Sequence, residues 1–170
     1  MNKTIDVILN RVSCRAYSEK RVSPSKLNQI LEAGSFAPSG MNRQICTILN
    51  VKSKSVLESI RNALKAKFGR DCLYGAPSLC LVYGNEEEPL LVQDASCILE
   101  NLFLAAAALK VDSCWINQLN ELLTDPNYAK LRKKLGLGEK DRVVGSAIFG
   151  YRKEGLEIQV KPRKDFIKTI

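Results

Sequence analysis

The chain has 170 residues, 45% of them hydrophobic and 26% charged, with a formal net charge of +8 and no histidine. That length fits one domain with a sizeable core, and the composition is that of an ordinary globular protein. Lacking histidine, the chain excludes Ser-His-Asp and Cys-His machinery, H-E-x-x-H zinc sites and mixed Cys/His metal sites. The charge is uneven: residues 129–170 carry 12 Lys/Arg against 5 Asp/Glu. Such an excess suits an anionic ligand or a solvated basic face.

Residues 4–10 read as a short helix with Ile5, Ile8 and Leu9 on one face. Arg11-Val12-Ser13-Cys14-Arg15 follows, with two guanidiniums and a hydroxyl at alternate positions. In an extended segment those three side chains project to one side, and arginine's planar fork suits a phosphate. Ser23 before Pro24 marks a helix start, Leu27, Ile30 and Leu31 repeat at helical spacing, and Gly34 offers a stop. Residues 37–44 (Ala-Pro-Ser-Gly-Met-Asn-Arg-Gln) form a loop. Pro38, Ser39 and Gly40 turn the chain and expose backbone N–H groups, while Asn42 and Gln44 supply amides able to grip the edge of a flat polar heterocycle. Ile45 to Val51 reads as a strand, and Ser55-Val56-Leu57-Glu58 fits a capping box opening a helix to about Phe68.

Ser78 to Gly84 is a compact apolar run, expected to be a buried strand, and the acidic turn at Asn85 to Pro89 leads into the longest helix, residues 90–109. That helix is apolar around most of its circumference, as a central buried helix is. Its most apolar part, Ile98 to Leu109, is interrupted by Glu100 and Asn101 and is too short to span a bilayer. Val111 to Ile116 reads as a strand, Asp125 to Leu135 as a helix and Arg142 to Tyr151 as a last strand. The tail from Arg152 is basic, has little core of its own, and contains Lys161-Pro162-Arg163. The whole is one α+β domain over residues 1–170 with strands scattered among helices and an extended C-terminal arm.

The six cysteines include no C-x-x-C pair. Cys46, Cys80, Cys97 and Cys114 sit in apolar segments, where free cysteine behaves as a small buried hydrophobe, so reduced thiols, no metal and a cytoplasmic location are expected. The N-terminus has no signal-peptide pattern. Gly136-Leu137-Gly138 lacks the third glycine of a dinucleotide fingerprint, no phosphate-loop motif occurs, and paired carboxylates are unsupported. What survives is chemistry supplied by a bound organic cofactor, with no catalytic side chain.

Together these segments resemble the nitroreductase-like flavoprotein family. The resemblance rests on Arg-x-Ser-x-Arg, on Ala-Pro-Ser-x-x-Asn-x-Gln, on the long Ala-rich helix leading to Ser113-Cys114-Trp115-Ile116, and on Gly150-Tyr151 with Lys161-x-Arg163. It implies a mixed or antiparallel central sheet surrounded by helices, with the C-terminal arm exchanged between the subunits of a homodimer. It implies FMN at the subunit interface, its phosphate held by Arg11, Ser13, Arg15, Lys161 and Arg163. Pro38, Ser39 and Gly40, from the partner subunit, would pack on the flavin with Asn42 and Gln44 nearby, and Trp115 and Ile116 would line the site. The implied activity is ping-pong hydride transfer from NADH or NADPH, through flavin N5, to a nitroaromatic, quinone or similar small acceptor.

The chain departs from that pattern in three places. It is short, so insertions that roof the substrate pocket in larger members are absent or reduced. Val12 stands where a second basic residue is common and offers only backbone contacts. Ile116-Asn117-Gln118 stands where a glycine is frequent. Arg43, between the loop amides, is a candidate for facing flavin or substrate. Two other readings compete: a non-catalytic FMN-binding protein for storage or sensing, and a basic nucleic-acid binder. The second lacks recognisable motifs and aromatic interleaving.

Overall fold

The computed structural model describes residues 2–160, 162 and 166–169. Helix α1 (Lys3–Asn10) starts where the Asn2 side chain accepts the Thr4 N–H at 2.9 Å. Ser23 caps α2 (Pro24–Ser35) by accepting the Lys26 N–H, and Pro24 takes the first turn, where its missing N–H costs nothing. Strand β1 (Cys46–Asn50) follows. Helix α3 (Lys54–Phe68) is capped by Ser53, whose hydroxyl accepts from Val56 N–H, and not by the expected Ser55. Ser55 lies inside the first turn, its hydroxyl 3.0 Å from that of Ser53.

The chain continues through β2 (Ser78–Asn85), α4 (Leu91–Ala108) and β3 (Asp112–Ile116). Two short helices come next, α5 (Gln118–Thr124) and α6 (Ala129–Lys134), and then β4 (Asp141–Gly150). Helix α5 is absent from the sequence expectation, although Leu119, Leu122 and Leu123 bury themselves at helical spacing. The helix expected over 125–135 is broken at its start. Asp125 is extended, its carboxylate accepts the Asn127 N–H, and Pro126–Tyr128 form a single 3-10 turn before α6 begins.

Among the described residues the four strands form one antiparallel sheet in the order β1-β2-β4-β3. Side chains alternate across its faces, and both faces are covered. Leu79, Leu81 and Ile148 join a core with α3 and α5, while Cys80, Val82, Ala147 and Phe149 join a second core with α2 and α4. A bulge between Val82 and Tyr83 puts Val82 opposite Gly145 but Tyr83 opposite Val143. Gly145 is needed beside it: a Cβ there would sit 2.5 Å from the Trp115 ring.

Helix α4 is long and apolar enough, at mean hydropathy 1.3, to cross a membrane by length and composition alone. In the fold it packs on β2 and β4, burying Leu91, Leu99, Leu102, Phe103 and Ala106. Its outer side carries Cys97, which is exposed, against the expectation of a buried thiol; Cys14, Cys72, Cys80 and Cys114 are buried, Cys46 is half-buried, and all six are free.

Helix α1 has no buried residue. Ile5, Ile8 and Leu9 are 47%, 46% and 52% exposed, so its apolar face is left uncovered. After β4 the chain is tied down by Ser18 N–H to the Tyr151 carbonyl at 2.8 Å and by a bridge between Tyr17 and Arg152. The described residues beyond Arg152 form no helix or strand.

Candidate functional site

The segment after α1 is extended at Arg11 and runs beside β3, with Ser13 bridged to Ser113 and Cys14 N–H bonded to the Ser113 carbonyl at 2.9 Å. Cys14 and Tyr17 are buried, Arg15 is exposed, and Arg11, Val12 and Ser13 are half-buried. The charges of Arg15 and Arg11 are felt at Cys114, a buried thiol of β3. Burial pushes the Cys114 thiol up; Arg15, a hydrogen bond with Ser13, and then Arg11 pull it back down. Ser13 and Arg15 are not in the wall of the cavity that Arg11 lines.

Arg11 and Val12 line a cavity of about 340 Å³ together with Asn10, Lys110, Ser113 and Arg152. Arg152 is held by Asp112: its backbone N–H donates to Oδ2 and its Nε–H to Oδ1, both at 2.9 Å. Lys110 and Arg152 escaped the sequence reading, because a cation after an Ala-rich helix and one after a strand look like ordinary surface charge.

The loop after α2 is built by its backbone. Met41, Asn42 and Gln44 are all left-handed, at φ 52, 55 and 52. The Ser39 hydroxyl accepts the Gln44 N–H at 3.0 Å, and the Gln44 amide donates to the Asn42 side-chain oxygen at 3.2 Å. Gly40 N–H donates to Asp94 Oδ1 at 3.0 Å. Gly40 packs closely on Leu90: a Cβ would come within 2.2 Å of its Cδ1 and make that side chain turn away. The amides expected to meet a ligand are thus partly engaged with each other and with Ser39.

Asp94 is the residue this loop depends on and the sequence reading missed. It is 5% exposed on an otherwise apolar helix face, and its second oxygen is buried with no partner among the described residues. The available signal was a lone carboxylate in an apolar run, since a buried charge persists only with a task. Pro38, Ser39, Gln44, Cys46 and Asp94 line a cavity of about 590 Å³, along with Glu32. Burial and then the Asp94 carboxylate push the Cys46 thiol up to about 11.

The two cavities share no lining residue, so within one chain the Arg11 segment and the Pro38 loop do not form one site. Trp115 lines neither; it is 37% exposed and its ring meets Phe103 at 6.3 Å between centroids. Ile116 is 1% exposed in the core, so only its backbone is available to a ligand. Arg43 pairs with Glu88 at 2.8 Å and points its charge there. Lys161 and Arg163 lie outside the described residues.

The sequence matches the family described as Nitroreductase family over residues 8–70 and 61–151. A protein of Archaeoglobus fulgidus whose name assigns it to NADH dehydrogenase/NAD(P)H nitroreductase is 28% identical over 91% of this chain and 88% of its own length. Among solved structures, a Bacteroides fragilis nitroreductase with bound FMN is 34% identical, with a TM-score of 0.92 over 100% of this chain and 99% of that one. A Desulfitobacterium hafniense nitroreductase with bound FMN is 26% identical, with a TM-score of 0.87 over 100% and 99%.

Proposed function

This chain belongs to the nitroreductase family, and we propose that it is an FMN-dependent NAD(P)H oxidoreductase built from a single domain over residues 1–170 and active as a cytoplasmic homodimer. The observation that carries the reading is the likeness of the whole chain to a nitroreductase with bound FMN, 34% identical with a TM-score of 0.92, and the Arg11–Arg15 segment beside β3 offers guanidiniums and a hydroxyl that suit its phosphate. Bound FMN would supply the redox chemistry, passing electrons from NADH or NADPH to a nitroaromatic, quinone or similar small acceptor.

The chain's own residues bind and orient. Arg11, Ser13 and Arg15, with Lys161 and Arg163 of the tail, hold the phosphate. The Pro38–Gln44 loop of the partner subunit, kept in shape by Asp94, offers a fixed surface to the flavin ring. Trp115 and the Ile116 backbone flank the site. N–H donors and cations of the site would favour the extra negative charge of a reduced ring, and no acid-base side chain is required. The uncovered apolar stripe of α1 and the separation of the two cavities support a two-chain site, with the C-terminal arm reaching across. The free, buried thiols of Cys14, Cys72, Cys80 and Cys114 support the cytoplasmic assignment.

The test is a spectrum. Purified protein is expected to be yellow, to bleach anaerobically with NADH or NADPH, and to recover on addition of a quinone or nitroaromatic. A colourless protein that takes up no FMN refutes the reading. A yellow one that neither nucleotide bleaches points to storage or sensing of FMN.

A further inference from the structure

The end of α4 carries a local conflict. Val111 N–H bonds to the Ala106 carbonyl at 2.8 Å and Lys110 N–H to the Ala107 carbonyl at 3.0 Å, the paired bonds of a Schellman stop. The left-handed residue in that stop is Lys110, at φ 56. Glycine takes such a conformation freely, whereas a Cβ crowds the neighbouring carbonyl. Elsewhere the chain uses glycine for the same task. Helix α6 ends with Gly136 N–H on the Lys133 carbonyl at 3.0 Å and Leu137 N–H on the Arg132 carbonyl at 3.2 Å, and Gly136 has φ 74. A strained lysine where glycine would serve calls for a reason outside the backbone.

The cavity supplies one. Lys110 lines the 340 Å³ pocket with Arg11 and Arg152. Its acidic wall residue, Asp112, has both oxygens engaged by Arg152. Arg11 has only a loose contact with Glu100 at 3.9 Å, and the Glu100 side chain is 56% exposed. Three cations against one committed carboxylate leave excess positive charge, with Asn10 and Ser113 in the wall beside them. The C-terminal end of a helix disfavours anions, so an anion there needs an added cation at that spot.

We infer that Lys110, with Arg11 and Arg152, forms a pocket for a phosphate monoester dianion, and that the lysine is kept in its strained conformation for that contact. The inference rests on the proposed function for its first ligand, the phosphate of FMN. The same chemistry has a second source, the ribose 2′-phosphate of NADPH.

The experiment compares Lys110→Gly, Lys110→Asn and Lys110→Arg in the full-length chain. Glycine relieves the strain, asparagine tolerates the left-handed conformation without charge, and arginine keeps the charge. FMN and riboflavin affinities are read from quenching of flavin fluorescence. FMN is expected to bind about tenfold more weakly to the glycine and asparagine variants, the effect of one charge-assisted hydrogen bond, with riboflavin unchanged and arginine restoring FMN. The glycine variant is expected to melt about 2 °C higher, which sets lost affinity apart from lost folding.

If FMN affinity holds but the NADPH/NADH ratio of kcat/KM falls about tenfold in both variants, the phosphate is the nucleotide's. Unchanged FMN affinity together with an unchanged ratio overturns the inference, and Lys110 then serves only the helix end. Should wild-type protein take up no flavin at all, the proposed function fails by itself. Inorganic phosphate titrated by calorimetry into wild type and Lys110→Asn then decides the pocket: equal binding, or none to either, overturns it.

Discussion

The two candidate regions are held by opposite means. Around Pro38–Gln44, position comes from backbone: three left-handed residues, a Ser39 hydroxyl on Gln44, and a buried carboxylate on Gly40. Around Arg11 the backbone is a plain extended segment bridged to β3, and long cationic side chains do the work. The first cavity has Glu32 and Asp94 in its wall, the second Arg11, Lys110 and Arg152. Charge recognition needs only side chains that converge, whereas presenting a rigid surface needs a backbone with its alternatives removed.

Removing the cations tests that contrast most severely. Arg11→Ala combined with Arg15→Ala is expected to weaken FMN about a hundredfold, two charge-assisted contacts' worth, and to leave riboflavin nearly alone. Folding stability, read by urea, should move by only about 0.5 kcal/mol, since both side chains reach solvent. FMN affinity within a factor of two of wild type would end the phosphate assignment.

In the loop the order of effects should reverse, with stability moving first. Asp94→Ala strips the acceptor from the Gly40 N–H and is expected to cost about 1–3 kcal/mol in urea unfolding. Asp94→Asn keeps a side-chain oxygen and should lose less. If both variants unfold like wild type, the carboxylate does not hold the loop.

The thiols report the same contrast through pH. Cys46 is pushed up by burial and by Asp94, while the burial shift of Cys114 is opposed by Arg15 and Arg11. A thiol raised in the fold binds its proton more tightly there than in the unfolded chain. The stability this gives is complete below the ordinary thiol value near 9 and is lost as pH rises through about 11 for Cys46. Stability should therefore decline above about pH 9. Alkylation of Cys46, followed by mass spectrometry across that range, should begin at lower pH in Asp94→Asn, and Arg15→Ala should move Cys114 the other way. No change in either onset would mean the two environments are alike.

The smallest effect belongs to Arg43. Breaking its half-exposed pair with Glu88 by Arg43→Ala should change stability by about 0.5 kcal/mol and leave FMN affinity unaltered. A several-fold rise in acceptor KM in this variant would bring Arg43 into the site after all.

Much of this molecule was legible in one dimension because its signals are local. Ser23-Pro24 starts α2, the apolar run Ser78–Gly84 is a strand buried on both faces, and the segment after α1 runs extended beside β3. Each depends on partners within a few residues or on a simple period. The errors came where two local signals competed or a segment was short: Ser53 over Ser55 as the cap of α3, Pro126 interrupting a helix, and seven residues of α5.

What only the tertiary structure decided depends on partners far along the chain. Asp94 matters because Gly40 lies against it, Lys110 because Arg11 and Arg152 share its cavity, and Ile116 is silent because the core takes its side chain. Composition and spacing determined the kinds of group this chain can offer a ligand. Where those groups meet, and which of them are already occupied, was set by long-range packing, which no period of two or 3.6 residues encodes.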